Sequence, residues 1–133
     1  MSEKVKILLV DDEPDLVQLV SVRLEAAGYE MAAAFDGQEA LEQVKKVKPA
    51  LIILDLMLPK LDGYKVCRLL KFDGKYKKIP ILIFTARAQE EDIKLAMECG
   101  ADAYLTKPFD AQMLLEKLKE MLNQTAAPKA GGA

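Results

Sequence analysis

Five short apolar runs, each followed by a stretch with helical periodicity, leave this chain very few possible folds. The runs are VKILLV (Val5 to Val10), YEMAAA (Tyr29 to Ala34), ALIILD (Ala50 to Asp55), IPILIFT (Ile79 to Thr85) and DAYLT (Asp102 to Thr106). The first, third and fourth are nearly unbroken Ile, Leu and Val, so they present no polar face to water. They predict strands covered on both sides. The second and fifth are weaker, as expected nearer the edges of a sheet. Between the runs, Leu16, Leu19, Val20 and Leu24 keep helical spacing, with Pro14 as a start and Gly28 as a stop. Asp36-Gly-Gln-Glu39 reads as a capping-box-like start for Leu41, Val44 and Val47. Asp62 opens a third helix containing Val66, Leu69 and Leu70. A fourth runs from about Gln89 to Cys99 and stops at Gly100. Asp110 caps a fifth, with Leu114, Leu115, Leu118, Met121 and Leu122 as its stripe. Strand-helix repeated five times with short connections implies right-handed crossovers. The expected architecture is α/β, three layers around a five-stranded parallel sheet.

The chain has 133 residues, enough for one domain. Nineteen basic against 21 acidic residues give a net charge of −2, and no basic stripe suggests nucleic-acid binding. There is no apolar run near the length of a membrane span, and MSEKVKILLV is not a signal peptide, so a cytoplasmic location is expected. Cys67 and Cys99 lack metal-like spacing and are expected to be reduced thiols in half-buried helix positions. The absence of histidine removes Ser-His-Asp triads, Cys-His pairs and histidine-ligated zinc. Chemistry must rest on carboxylates, lysine and hydroxyls. The ending NQTAAPKAGGA lacks periodicity and reads as a frayed end or a linker remnant.

Ligands of open parallel sheets bind beyond the carboxyl ends of the strands. There the first strand offers Asp11 and Asp12, the third Asp55, the fourth Thr85, and the fifth is followed by Lys107. An Asp pair after a strand can simply cap a helix, Asp55 can bond a loop, and Lys107 can be a solvated charge. Their coincidence on one rim favours function. Three carboxylates repel one another unless cations compensate. Mg2+ and one ammonium would do so, since Mg2+ takes oxygen ligands, waters and phosphate oxygens. One carboxylate could then act as a nucleophile on phosphorus, giving an aspartyl phosphate.

The strings LLVDDEP, ILDLMLPKLDG, FTA and YLTKPF resemble those of receiver domains from two-component response regulators, from roughly Lys4 to Leu122. The resemblance implies a flavodoxin-like (βα)5 fold with strand order 2-1-3-4-5 and a tail over 123–133. It implies that Asp55 is the phosphoacceptor. Asp11, Asp12, Asp55 and the backbone carbonyl of Met57 would hold Mg2+. Thr85 would be the switch hydroxyl, Lys107 the phosphoryl-contacting lysine and Tyr104 the aromatic that turns inward. Lys107-Pro108 would be a cis peptide, and Met57 and Arg87 would flank the site as in receivers joined to winged-helix DNA-binding domains.

The implied partners are a sensor histidine kinase or histidine phosphotransfer protein and a downstream protein target, with no nucleic acid and no membrane. The implied output surface is formed by the fourth helix, the fifth strand and the fifth helix. Ile93, Ala103 and Met113 stand there where relatives carry charges, which predicts a monomer. Such a chain is a switch, catalysing only its own phosphorylation and dephosphorylation. A haloacid-dehalogenase-like phosphatase would carry a second Asp at position 57, which is Met57. A flavodoxin-like electron carrier would need a phosphate loop where DDEPD stands. A degenerate receiver would lack part of the intact acidic and lysine set.

Overall fold

The computed structural model describes residues 4–86 and 89–126. Ten elements alternate: β1 (Lys6–Val10), α1 (Pro14–Ala26), β2 (Glu30–Ala34), α2 (Gly37–Val47), β3 (Leu51–Leu54), α3 (Gly63–Lys71), β4 (Ile81–Thr85), α4 (Glu90–Glu98), β5 (Ala103–Thr106) and α5 (Ala111–Ala126). The strands form one parallel sheet of order β2-β1-β3-β4-β5. The two weaker runs are indeed the edges, and every residue of β5 is only half-buried.

Alternation along the central strands supplies both faces. Leu8, Val10, Ile52, Leu54, Ile81 and Ile83 pack with Ala40 and Val44 of α2, Val66, Cys67 and Leu70 of α3, and Ala96 of α4. Ile7, Leu9, Leu51, Ile53, Leu82 and Phe84 pack on the other side with Val17, Val20 and Leu24 of α1 and Leu114, Leu118 and Met121 of α5. Each fully buried Leu, Ile or Phe side chain contributes about 1.5–3 kcal/mol, so the sheet and its two covers hold each other in place.

Local signals behave as the sequence predicts, with four differences. Asp36 accepts from the Glu39 amide at 2.8 Å, but the Glu39 carboxylate reaches back to Phe35 N rather than to the cap itself. β4 begins at Ile81 rather than Ile79, because Pro80 has no N–H to donate and only its carbonyl joins the ladder, to Ile52 N. Cys67 and Cys99 are buried rather than half-buried, and both are free. Burial pushes the Cys67 thiol up to about 12. Lastly, α5 continues past Leu122 through Ala126. No glycine or proline interrupts the sequence over that stretch. Among the described residues no helix is long and apolar enough to cross a membrane.

Candidate functional site

The ends of β2, β1 and β3 are stitched together at the rim. Asp11 N donates to Ala34 O at 3.1 Å and Asp55 N to Val10 O at 3.0 Å, so the ladder carries both carboxylates to the sheet edge. Each side chain is then aimed by its own following loop. Asp11 Oδ1 accepts from Glu13 N at 3.0 Å, and Asp55 Oδ1 accepts from Met57 N at 3.1 Å. The outer oxygens of both carboxylates are left to face one cation. Lys107 Nζ lies 2.6 Å from Asp11 Oδ2 and 3.1 Å from Asp55 Oδ2.

Lys107 is held there from below. Its amide donates to Thr85 O at 2.8 Å, and its ammonium sits 5.0 Å from the Phe84 ring centroid. Phe109 packs edge-on against that ring, with centroids 4.8 Å apart. The Lys107-Pro108 peptide is cis, as expected.

Burial and charge oppose each other here. Asp11 is fully buried, Asp55 is 5% exposed, and Asp12 is open to solvent. Desolvation raises the Asp11 carboxyl above its ordinary range, although the Lys107 hydrogen bond, the Glu13 amide and the Lys107 charge pull it down. Desolvation alone would lower Lys107. The Asp11 hydrogen bond and the charges of Asp55 and Asp11 outweigh it and hold the ammonium above its ordinary value.

One oxygen from each of Asp11, Asp12 and Asp55 lies within 4.8 Å of the others. An all-oxygen donor set with one exposed member fits a hard cation such as Mg2+ and leaves room for water. Thr85 is buried at the end of β4 and pairs in register with Thr106 of β5. Tyr104 is half-buried on β5, opposite Ile83. Met57 is exposed beside Asp55. Arg87 lies outside the described residues.

Three contributors were not anticipated. Glu13 Oε1 approaches Lys107 Nζ to 3.7 Å, Phe84 supports the ammonium, and Gly63 lets α3 start against the end of β3. A Cβ at Gly63 would collide with the Asp55 carbonyl oxygen and lie 2.6 Å from Leu56 Cα. Glu13 was visible in the string DDEP. The other two depend on tertiary approach.

The chain matches the model of the response regulator receiver domain over residues 7–119. The chain belongs to that family. It is 43% identical over 120 residues to the DNA-binding dual master transcriptional regulator RpaA of Synechocystis, covering 90% of this chain and 50% of the relative. It is 45% identical over 127 residues to the alkaline phosphatase synthesis transcriptional regulatory protein PhoP of Bacillus subtilis, covering 94% of this chain and 52% of the relative. This receiver therefore spans about half the length of these two curated relatives. The crystallised receiver domain of sensor histidine kinase PA1611 from Pseudomonas aeruginosa is similar in structure, with a TM-score of 0.84 and 29% identity over 91% of this chain and 99% of that one. That structure has a magnesium ion coordinated in its active-site cleft. The family match leaves the dehalogenase-like reading without support.

Proposed function

We propose that this receiver takes a phosphoryl group on Asp55 from a phosphohistidine of a sensor kinase or phosphotransfer protein, with Mg2+ held by Asp11, Asp12, Asp55 and the Met57 carbonyl. The observation that carries the reading is the Lys107 ammonium bridging Asp11 and Asp55 beside the exposed Asp12. Bound Mg2+ would supply two positive charges to offset the carboxylates and the incoming phosphoryl oxygens.

The chain's own groups account for the rest. Asp55 is fixed by its Met57 amide bond, so one oxygen can approach phosphorus in line with the phosphohistidine nitrogen. The new O–P bond forms as the P–N bond breaks, and the imidazole leaves with the electron pair and takes up a proton. Lys107, already within bonding distance of Asp55, supplies a charge-assisted contact to one phosphoryl oxygen. Thr85 donates its hydroxyl to another, and Tyr104 on the neighbouring strand turns inward as that hydroxyl moves. The face of α4, β5 and α5 then engages a protein target.

The same reading assigns residues 4–122 and the rest of α5 through Ala126 to the receiver and the remainder of 123–133 to a tail, with a cytoplasmic setting and a monomer that itself makes no nucleic-acid contact. Acetyl phosphate with Mg2+ should add one phosphoryl group, seen by mass spectrometry. Asp55→Asn should abolish it, and undiminished labelling of that variant overturns the assignment.

A further inference from the structure

At the amino ends of the strands, opposite the acidic rim, the chain carries a second charged feature that phosphoryl transfer does not use. No single basic stripe runs along the sequence, but the fold joins two short lysine runs, KKVK (Lys45 to Lys48) and KYKK (Lys75 to Lys78). Lys45, Lys48, Pro49, Lys75, Tyr76 and Ile79 line one cleft of about 620 Å³, within the range of ordinary small-molecule sites. Its floor is apolar: Pro49 is buried, and Tyr76 and Ile79 are half-buried against the α2–α4 core. Its rim is cationic. Lys45, Lys48 and Lys75 are exposed, and none has an ion pair among the described residues.

The cleft is also built to keep its shape. Lys48 takes a left-handed conformation at φ 53°, which ends α2 and turns the chain into Pro49. On the far wall, Lys71 Nζ bonds Lys77 O at 3.0 Å, Ile79 O at 2.9 Å and Asp102 Oδ2 at 2.8 Å. That half-buried ammonium pins the loop carrying Lys75 and Tyr76 to the base of β5.

We propose that this cleft binds a small polyanion bearing several phosphates, of the nucleoside polyphosphate class, with phosphates on Lys45, Lys48 and Lys75 and the apolar part over Tyr76 and Ile79. Lysine serves phosphate well as a point charge, and three of the six described residues lining the cleft are lysines. An added peptide strand has no place here, because β3 is paired on both sides by β1 and β4. A long nucleic acid would meet a chain of net charge −2, whereas a compact polyanion meets only the local lysines. Lys45 and Lys46 also complement the negative end of α2, but that role leaves Lys75, on a separate loop, unaccounted for.

The test is an NMR titration of the whole chain at low salt with EDTA, so that no divalent ion recruits phosphate to the acidic rim. The probes are ATP and inorganic tripolyphosphate. ATP should shift the amides of Lys45 to Lys48 and Lys75 to Ile79, saturably and at submillimolar concentration. Lys45→Gln/Lys48→Gln/Lys75→Gln should weaken it at least tenfold while keeping a folded spectrum. Lys94→Gln/Lys119→Gln, removing two charges elsewhere, should not. Tighter binding of ATP than of tripolyphosphate supports the apolar floor as the seat of a base, and equal binding confines the ligand to its phosphates. Shifts spread over all surface lysines, equal losses in both variants, or binding of an oligonucleotide but not of ATP would overturn the proposal.

Discussion

Removing the ammonium at the acidic rim should leave a charge problem that pH can switch off. In Lys107→Ala, Asp11 and Asp55 lose the cation that lies 2.6 and 3.1 Å from their oxygens. Both carboxylates are almost wholly buried. Deleting one partner of a buried ion pair costs roughly 3–5 kcal/mol, mostly through the charge left behind. Here Asp12 opens one side of the site to water, so about 3 kcal/mol is expected at pH 7 in metal-free buffer. With an m-value of about 2 kcal/mol per molar urea, the midpoint should fall by about 1.5 M.

The pH dependence follows from the shifts in the parent. The Asp11 carboxyl is raised from 3.8, so its ionisation costs folding stability, a cost absent below that value and growing as pH rises through the raised one. Lys107 is raised from 10.5, so its stabilising share is complete below that value and is lost only as pH climbs through the raised one. The variant lacks that share and suffers the carboxylate cost in full. Its deficit should therefore be large at pH 7 and shrink toward about pH 4, where the raised Asp11 carboxyl is protonated and needs no cation. Adding Asp11→Asn should restore most of the loss at pH 7. A deficit equal at both pH values, or a double variant no more stable than the single one, would refute this account of the rim.

Three further outcomes are expected. Asp12→Ala should weaken Mg2+ binding measured by NMR titration, and an unchanged affinity would remove Asp12 from the ligand set. Gly63→Ala should destabilise the domain by about 1–3 kcal/mol in urea unfolding and slow labelling by acetyl phosphate, because the new methyl displaces the acceptor strand end; normal labelling would contradict the second part. With beryllofluoride as phosphoryl mimic, amide shifts should concentrate on α4, β5 and α5 while sedimentation velocity still reports a monomer. Shifts confined to α1 and α2, or a tight activated dimer, would count against that surface and that state.

The elements most readable from sequence were those whose residues answer to one neighbour in the chain. Asp36 and Asp62 cap α2 and α3 through amides three residues on, so the signal and its partner lie in one window. The rim positions Asp11, Asp55, Thr85 and Lys107 were legible because a parallel sheet places its strand ends together whatever the side chains are. Depth was less legible. Cys67 looks like any small residue on an amphipathic helix, yet it is fully buried and its Sγ lies 3.6 Å from Cys99 O, a contact set by how α3 meets the end of α4. The surface expected from Ile93, Ala103 and Met113 divides in the same way. Met113 is exposed, Ile93 is half-buried, and Ala103 packs against the α1–α5 core. Only the crossing of helix and strand decides which of the three a partner can touch.

The same crossings explain how a charge event at the rim could be felt at that surface. β4 and β5 pair from Leu82 and Ala103 up to Thr85 and Thr106, and Lys107 N closes the ladder on Thr85 O. Thr85 and Lys107 thus lie where the ends of β4 and β5 are bonded, and Tyr104 lies two pairs back from Thr106. Across the site, the Tyr64 hydroxyl of α3 reaches Asp92 Oδ1 of α4 at 3.4 Å, a long bond joining the helix that starts against Asp55 to the helix that follows Thr85. The exposed Leu95 and Met97 lie on that same α4, and the exposed Met113 lies on α5, which follows β5. Under the proposed switch, a shift at Thr85 would pass to β5 through this ladder and to α4, the next helix in the chain, and α4 carries the exposed Leu95 and Met97.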